Sequence, residues 1–435
     1  GPPGPSGAPG PSGAHGPSGP SGAPGRTGRL GRPGRRGARA VRAVRAVRGV
    51  RAVRGARAVR YGGAVRIVVA PDSFKGTATA AEIAAAVRDG WLAERPGDEV
   101  VLAPMADGGE GTLDAFETAI PLTVRVPITV TGPAGTPVDT HWLQLPDGRA
   151  VVELAATSGL PLLPEFLPDT ATSRGFGEAI AAALDDGATG LVLGIGGSAS
   201  TDGGADALIG LGTLIHIDPA VPEHPPRPRQ GAELLDDVTG VDTTWMRRLP
   251  EHGAVVLTDV TSPLLGPSGA AAVFGPQKGI APERIAVFDA RLADWARCFP
   301  DVDPTTPGAG AAGGVGFGLL AWGATLAGGA AAVAEVLGLP ALLDGADVVI
   351  TGEGRYDGQS AAGKVPSVVR TLASTHAPGA RAMLVAGAIE AALDDFDAAA
   401  SLTVLATQTT GEPDDALADP LRFARIAGQR LARLA

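Results

Sequence analysis

The chain has 435 residues, enough for roughly two or three domains, and its composition of 44% hydrophobic but only 4% aromatic residues predicts a sizeable aliphatic core. Its one cysteine, Cys298, excludes an internal disulfide and a cysteine-cluster metal site, and is typical of a reducing, cytoplasmic protein. The net charge is −10, but residues 66–435 alone carry 23 basic and all 46 acidic residues, a net charge of −23 that disfavours non-specific nucleic-acid binding.

Residues 1–64 form a low-complexity extension. Glycine occupies every third position from Gly1 to Gly37, and the period of three continues as Ala-Val-Arg repeats to Arg60. Gly-X-Y triplets are typical of collagen, so one interpretation is a trimerising arm or a basic arm for anionic partners. We favour an extension that is disordered or not translated, because glycine is lost from the repeat without any change of period. We therefore expect translation to begin at Val65.

The rest of the chain alternates short apolar runs with segments of helical spacing. Helices are predicted over 80–91 and from Thr112 onward. Strands are predicted over 67–70, 99–102, 191–195, 254–257, 347–350, 383–386 and 402–405. Strands that alternate with helices indicate an α/β fold with a parallel sheet, in which ligands bind at the carboxyl ends of the strands.

An uncharged stretch runs from 304 to 334. Its length would allow a membrane span, but it is too rich in glycine for a helix in a bilayer. We predict a glycine loop over 308–318 followed by a core helix over 319–336, and no membrane partner.

Three lysines stand out against 33 arginines: Lys75, Lys278 and Lys364, each beside a glycine. Where arginine is so strongly favoured, a retained lysine indicates a need for a compact ammonium group. Neighbouring glycines allow a ligand to approach the backbone closely. We expect most of these lysines to contact anions such as phosphates.

Two glycine-rich segments fit the same interpretation. Residues 196–204 run from a strand toward a helix, so their N–H groups could bind an anion, although a simple tight connection is the alternative. Residues 358–365 have the spacing of a P-loop, but Val365 stands where a hydroxyl should bind Mg²⁺. We therefore expect only that Lys364 faces an anion at the start of a helix that begins near Pro366.

Carboxylates follow the predicted strands. They are Asp72, Asp107, Glu110, Asp202, Asp259, Glu353 and Asp357. Any one of them could be a helix cap or a turn former. Together with the lysines they match the needs of phosphoryl transfer, in which acids hold Mg²⁺ or accept a proton and lysines neutralise phosphate.

Seven long motifs in order resemble the bacterial glycerate kinase family of type I, the glycerate 2-kinases. They include IVVAPDSFKG at 67–76, PMADGGEGT at 104–112 and GIGGSASTDGGA at 194–205, followed by matching segments at 259–269, 273–279, 307–314 and 351–359. The resemblance implies two α/β domains with the active site in the cleft between them. These would be a Rossmann-like parallel-sheet domain formed by 65–130 and 290–435, and a second α/β domain inserted at 131–289.

The resemblance also implies ATP-dependent phosphorylation of D-glycerate, with Mg²⁺, to give 2-phosphoglycerate. Its partners would be D-glycerate and ATP, and a homodimer is the candidate assembly. As catalytic residues we predict Asp202 as the base, with Asp72 as second choice, and Lys75. The residues predicted to bind substrate or phosphate are Lys278, Arg355, Lys364, Ser73, Gly196, Gly197, Ser198 and Gly203. Metal candidates are Asp107, Asp259 and Glu353.

Alternatives from other classes stay open at this point. One is a 3-kinase, an oxidoreductase or another nucleotide-binding α/β enzyme that acts on a small hydroxy acid. The other is a structural protein built on the collagen-like arm of residues 1–60.

Overall fold

The computed structural model describes residues 64–218, 229–358, 364–393 and 395–435. Two predictions fall wholly or partly outside these ranges: the extension over 1–64 and the centre of the P-loop-like segment 358–365. The described residues belong to one compact unit.

The described ranges contain thirteen strands. They are β1 (Arg66–Pro71), β2 (Glu99–Leu102), β3 (Val124–Thr131), β4 (Pro137–Gln144), β5 (Arg149–Glu153), β6 (Gly190–Gly194), β7 (Leu214–Ile217), β8 (Val238–Asp242), β9 (Ala254–Leu257), β10 (Thr325–Ala327), β11 (Val348–Tyr356), β12 (Arg381–Ile389) and β13 (Ala398–Ser401).

Fourteen α-helices lie in the same ranges. They are α1 (Ala80–Glu94), α2 (Thr112–Ala119), α3 (Leu154–Ser158), α4 (Arg174–Asp185), α5 (Ala205–Gly210), α6 (Ala270–Phe274), α7 (Ile285–Ala296), α8 (Val315–Trp322), α9 (Gly329–Val336), α10 (Leu339–Leu343), α11 (Val365–His376), α12 (Leu402–Thr410), α13 (Asp415–Ala418) and α14 (Pro420–Ala432). No helix in the part of the chain described here is both long and apolar enough to cross a membrane.

The first sheet has the order β13-β12-β11-β1-β2, and all of its strand pairs are parallel. The side chains of β1 alternate between two cores. Ile67 and Val69 pack with Trp91 of α1 and Phe423 of α14 on one face, whereas Val68 packs on the other face. A strand buried on both faces reads as a continuous apolar run, which is why the sequence predicts it correctly.

The second sheet has the order β10-β9-β6-β5-β4-β3 and is mixed. Strands β10, β9, β6 and β5 are parallel, whereas β5-β4 and β4-β3 are antiparallel. Val151 and Val192 of this sheet share one core with Val68 and Val349 of the first sheet, so apolar side chains join the two layers. The α/β fold class is thus confirmed, with parallel strands in both sheets.

The division into domains stays a proposal. We propose a Rossmann-like domain over 65–130 and 290–435 with an insertion at 131–289. The strands of the second sheet run from 124 to 327 and so extend beyond both ends of that insertion.

The predicted strand over 402–405 is wrong. These residues begin helix α12, and the strand of this region, β13, ends just before them at Ser401. The hydroxyl of Ser401 caps the helix by accepting the N–H of Val404 at 3.4 Å. A short apolar run cannot by itself distinguish a buried strand from a buried helix.

The predicted single helix over 319–336 is also wrong. The segment contains the end of α8, strand β10 and helix α9. Helix α8 already begins at Val315, inside the predicted glycine loop, and ends at Trp322. Its C-cap is Gly323, whose φ of +99° is a conformation that glycine adopts readily. The strands β3, β4 and β5 were not predicted.

Candidate active site

Loops after adjacent strands converge at the carboxyl edge of the first sheet. Asp72 follows β1, Asp107 lies in the loop after β2, and Glu353 lies within β11, the other neighbour of β1. From β1 the chain continues to β2 on one side of the strand order, and from β11 it continues to β12 on the other side. The crevice at such a switch point, here between β1 and β11, is the usual ligand site of open parallel sheets. The topology therefore brings three predicted site residues to one place.

A cavity of about 420 Å³ lies at this edge, and we call it the first cavity. Of the predicted site residues, it is lined by Asp72, Ser73, Lys75, Asp107, Glu353, Arg355 and Lys364. Asp357 also lines it, within 4.0 Å of the Lys364 Nζ. Leu402, Leu417 and Pro413 contribute to its far wall.

Lys75 and Asp107 form an ion pair in this cavity. Lys75 Nζ lies 2.6 Å from Asp107 Oδ2, and the side chains are 60% and 23% exposed. Burial lowers the pKa of Lys75, but the charges of Asp107, Asp72 and Glu353 outweigh it and raise that pKa above its ordinary value. The ammonium is therefore charged at neutral pH and available to an anionic ligand.

Asp72 is buried, and its Oδ1 accepts the N–H of Ser73 at 2.7 Å. Burial, followed by the negative charge of Asp107, raises the pKa of Asp72 to about 7. A carboxylate with a pKa near neutrality is well matched to general base catalysis, because it exists in the basic form and still holds an abstracted proton.

Two further cations line the first cavity. Arg355 is exposed on β11, with its Nη1 3.5 Å from Glu390 Oε1. Lys364 occupies the N-cap position of α11, as predicted from Pro366, and its Nζ lies 3.7 Å from Glu353 Oε2. Both can move toward an anion, since their ion pairs are long and partly solvated.

Asp259 follows β9 of the second sheet and lies close enough to Asp107 for their charges to interact. Burial and then the charge of Asp107 raise the pKa of Asp259 to about 6. Within the ranges described, no group of three or more His, Cys, Asp or Glu side chains is arranged to hold a metal ion. Mg²⁺ commonly needs only one or two carboxylates together with substrate phosphates. The repulsion of Asp107 with Asp72 and with Asp259 fits such a cation.

Asp202 belongs to a different, fully buried cluster. Its Oδ2 accepts the N–H of Ser173 at 3.0 Å and the hydroxyl of the same residue at 2.6 Å. Its Oδ1 accepts the hydroxyl of Ser200 and the N–H of Gly204, both at 3.0 Å. Four protein donors thus occupy both oxygens, which is the environment of a carboxylate that orders a loop.

Lys278 lies in the same region. Its Nζ donates to Ser198 Oγ at 3.3 Å and to the carbonyl oxygen of Ser200. Burial lowers the pKa of Lys278 to about 7, although the charge of Asp202 opposes the change. The side chain is 3% exposed, so it joins two loops rather than lining the first cavity.

The glycine loop 196–204 packs against neighbouring loops. Gly196 N–H donates to Gly108 O at 2.9 Å, and a Cβ on Gly196 would lie 2.5 Å from Gly109 Cα. Gly203 N–H donates to Gly313 O, and a Cβ on Gly203 would strike Trp295. Gly197 has a φ of +76° and accepts the N–H of Leu160. These contacts explain the glycines by packing, and anion binding here stays a prediction.

A second cavity, of about 520 Å³, opens on the other side of Lys75. It is lined by Ser73, Lys75, Thr77, Thr79, Glu82, Glu110, Leu113, Asp114, His141, Glu153, Ala155, Ala156, Pro161 and Leu162, with Gly76, Gly111 and Ala78. It lies between the loop after β1, the start of α2 and the second sheet with α3. Glu110, a predicted acid, is exposed there.

Glu153 is a site residue that the sequence reasoning missed. Its Oε2 accepts the N–H of Leu113 at 2.9 Å and its Oε1 that of Gly111 at 3.3 Å, so it caps α2 from the end of β5. Burial raises the pKa of Glu153 to about 7. Strand β5 would have had to be predicted for this acid to be noticed at a strand end.

The chain is similar to known proteins in sequence and in fold. The model of the glycerate kinase family matches residues 67–435. The glycerate kinase of Bacillus subtilis and the glycerate 2-kinase of Escherichia coli are each 41% identical over 320 residues, which cover 72% of this chain and 82% of each relative. A crystal structure described as glycerate kinase 2 from Salmonella typhimurium LT2 has a TM-score of 0.73 and 37% identity, covering 86% of this chain and 98% of that one.

Proposed function

Because the chain belongs to the glycerate kinase family, we propose that it transfers the γ-phosphoryl group of ATP to the 2-hydroxyl of D-glycerate and forms 2-phosphoglycerate. The observation that carries the proposal is the first cavity, where a carboxylate with a pKa of about 7, Asp72, shares the lining with three cations and four further carboxylates. Phosphoryl transfer depends on positioning and charge stabilisation, which this set of groups can supply.

We assign the role of base to Asp72. It lines the first cavity and has a near-neutral pKa, whereas both oxygens of Asp202 are occupied by protein donors in a buried cluster. The glycerate hydroxyl would give its proton to a carboxylate oxygen of Asp72 as the oxygen attacks phosphorus. Asp202, the first choice from the sequence, would order the loops behind the site.

The cations take separate roles. Arg355 would hold the glycerate carboxylate through two parallel hydrogen bonds, and Lys364 would add charge on the same side. Lys75 would neutralise the transferred phosphoryl group, where negative charge is spread over the equatorial oxygens. Asp107, with Asp259 or Glu353, would hold Mg²⁺, which supplies charge neutralisation of the bound phosphates.

Release of ADP from ATP by the full chain, with Mg²⁺ present, tests the function. We expect ADP formation that depends on D-glycerate and is absent with 3-hydroxypropanoate, which keeps the carboxylate and the 3-hydroxyl but lacks the 2-hydroxyl. If a folded and monodisperse protein released no ADP with either acid, that result would contradict a glycerate kinase. We further propose that the enzyme is cytoplasmic and forms a homodimer. Sedimentation would test the dimer.

A further inference from the structure

The two cavities meet at one short segment. Ser73, Lys75 and Thr77, all in the loop after β1, line both of them. In phosphoryl transfer the donor and the acceptor approach the transferred group from opposite sides, and a cation stabilises it between them. Among the described Lys and Arg residues, Lys75 alone lines both cavities, so it lies where a phosphoryl group would pass from one to the other.

The charges of the two cavities differ. The first cavity is lined by Arg355 and Lys364 in addition to Lys75, together with five carboxylates, those of Asp72, Asp107, Glu353, Asp357 and Asp414. The second has four carboxylates on its wall, those of Glu82, Glu110, Asp114 and Glu153, and Lys75 at its border. A small anion such as glycerate can pair with Arg355 and Lys364 only in the first cavity, whereas the second cavity offers Lys75 alone.

Apart from His141, the rest of the wall of the second cavity is apolar or carries hydroxyl groups. Leu113 and Ala155 are buried, and Ala156, Pro161 and Leu162 continue the apolar surface. The exposed carboxylate of Glu110 lies beside it and can accept hydrogen bonds from hydroxyl groups. An apolar wall with a few polar groups is typical of sites for uncharged ring systems.

We propose that the second cavity binds the nucleoside part of the donor, a purine base and its ribose, while D-glycerate occupies the first cavity. The inference rests on the proposed function and deepens it by assigning the two substrates to the two cavities. The phosphate chain of the donor would run from the second cavity toward Lys75, so that the γ-phosphorus faces Asp72.

The transfer balances in this arrangement. The bond from the γ-phosphorus to the oxygen that bridges it to the β-phosphorus breaks, and that oxygen stays on ADP. A new bond joins the γ-phosphorus to the glycerate oxygen, whose proton passes to Asp72. ADP then leaves through the second cavity, and phosphoglycerate leaves through the first.

A matched pair of substitutions tests the assignment. Ala156→Leu fills part of the second cavity, and Ala388→Leu fills part of the first, at two half-buried alanines. Binding of ADP is measured by calorimetry on the full chain, and KM for D-glycerate by ADP release. We expect Ala156→Leu to weaken ADP binding by about tenfold or more and to change KM for D-glycerate by less than about twofold. Ala388→Leu should do the reverse.

A second variant guards against misfolding of the first. Leu162 is 38% exposed, so Leu162→Asp should leave the fold intact while it adds charge and removes apolar wall. It should also weaken ADP binding. Unchanged ADP binding in both second-cavity variants, or loss of ADP binding in Ala388→Leu instead, would overturn the assignment. A wild-type protein that binds ADP without phosphorylating D-glycerate would contradict the proposed function, while the ADP comparison still decides which cavity holds the nucleotide.

Discussion

The ammonium of Lys75 and the carboxylate of Asp107 form a 2.6 Å ion pair that links the loop after β1 to the loop after β2. Burial, and after it the charge of Asp107, raises the pKa of Asp72 and of Asp259, so Asp107 couples the cation, the proposed base and a candidate metal ligand. The pair holds the ammonium at the junction of the two cavities.

Loss of the Lys75 charge should act mainly on turnover. We expect Lys75→Met to lower kcat by about 10²–10³, since a group that stabilises developing charge is removed. Lys75→Arg should recover part of the loss, because it keeps the charge but not the compact shape. Arg88→Met, which breaks the surface pair with Asp89, is the control and should leave kcat unchanged. Turnover of Lys75→Met near that of the control would remove Lys75 from the mechanism.

Asp72→Asn and Asp202→Asn should separate the base from the loop-ordering acid. We expect Asp72→Asn to lower kcat by about 10²–10⁴ with little change in thermal stability. Asp202→Asn should lower the free energy of unfolding by about 1–3 kcal/mol, because an amide NH₂ would face donors such as the Ser173 N–H. Thermal denaturation and steady-state kinetics check both. An Asp202→Asn protein as stable as wild type but inactive would return the base to Asp202.

Glu153 should make stability depend on pH. Its pKa is about 7 in the folded protein against 4.5 ordinarily, so the folded state binds more protons between these values. The contribution of the Glu153 carboxyl group to the free energy of unfolding is therefore fully present below pH 4.5 and is lost as pH rises through 7. Relative to Glu153→Gln, the wild type should lose roughly 2–3 kcal/mol of unfolding free energy between pH 5 and pH 8.

Urea unfolding at the two pH values measures this difference. Glu178→Gln is the matched control, because the carboxylate of Glu178 accepts the N–H and the hydroxyl of Thr131 at the second sheet. A wild-type-to-Gln difference at position 153 that is the same at pH 5 and pH 8 would contradict the raised pKa.

Arg355 should act on glycerate binding. We expect Arg355→Lys to raise KM for D-glycerate by about tenfold, because a lysine cannot form two parallel hydrogen bonds to a carboxylate. KM for ATP should change little. Arg355 pairs only loosely with Glu390, so the fold should tolerate the change. An equal rise in both KM values would show that Arg355 does not distinguish the two substrates.

The sequence predicts the parallel strands well and the mixed sheet poorly. Strands β2 and β9 have the predicted bounds, because each is a short apolar run between turn residues. The run is distinctive although β2 is a half-exposed edge strand and only β9 is mostly buried. Strands β3 and β4 are half-exposed and more polar, with Arg125, Asp139 and His141 among their residues, so no apolar run marks them.

The residues of the candidate site likewise divide into those that the sequence predicts well and those that it does not. Asp72, Lys75 and Asp107 follow strands of one parallel sheet, Glu353 lies within a neighbouring strand, and strand order brings them together. The contrast between Asp72 and Asp202 depends on which donors fold around each carboxylate, and no local pattern encodes that. Lys278 likewise looks like an anion ligand in the sequence, but its Nζ is directed at Ser198 and Ser200.

The most direct test of the account couples the reaction of the full chain with D-glycerate, ATP and Mg²⁺ to enolase, which consumes 2-phosphoglycerate but not its 3-isomer. We predict a signal through enolase without any added phosphoglycerate mutase. A signal that appears only after the mutase is added would mean phosphorylation of the 3-hydroxyl, and would contradict the proposed 2-kinase.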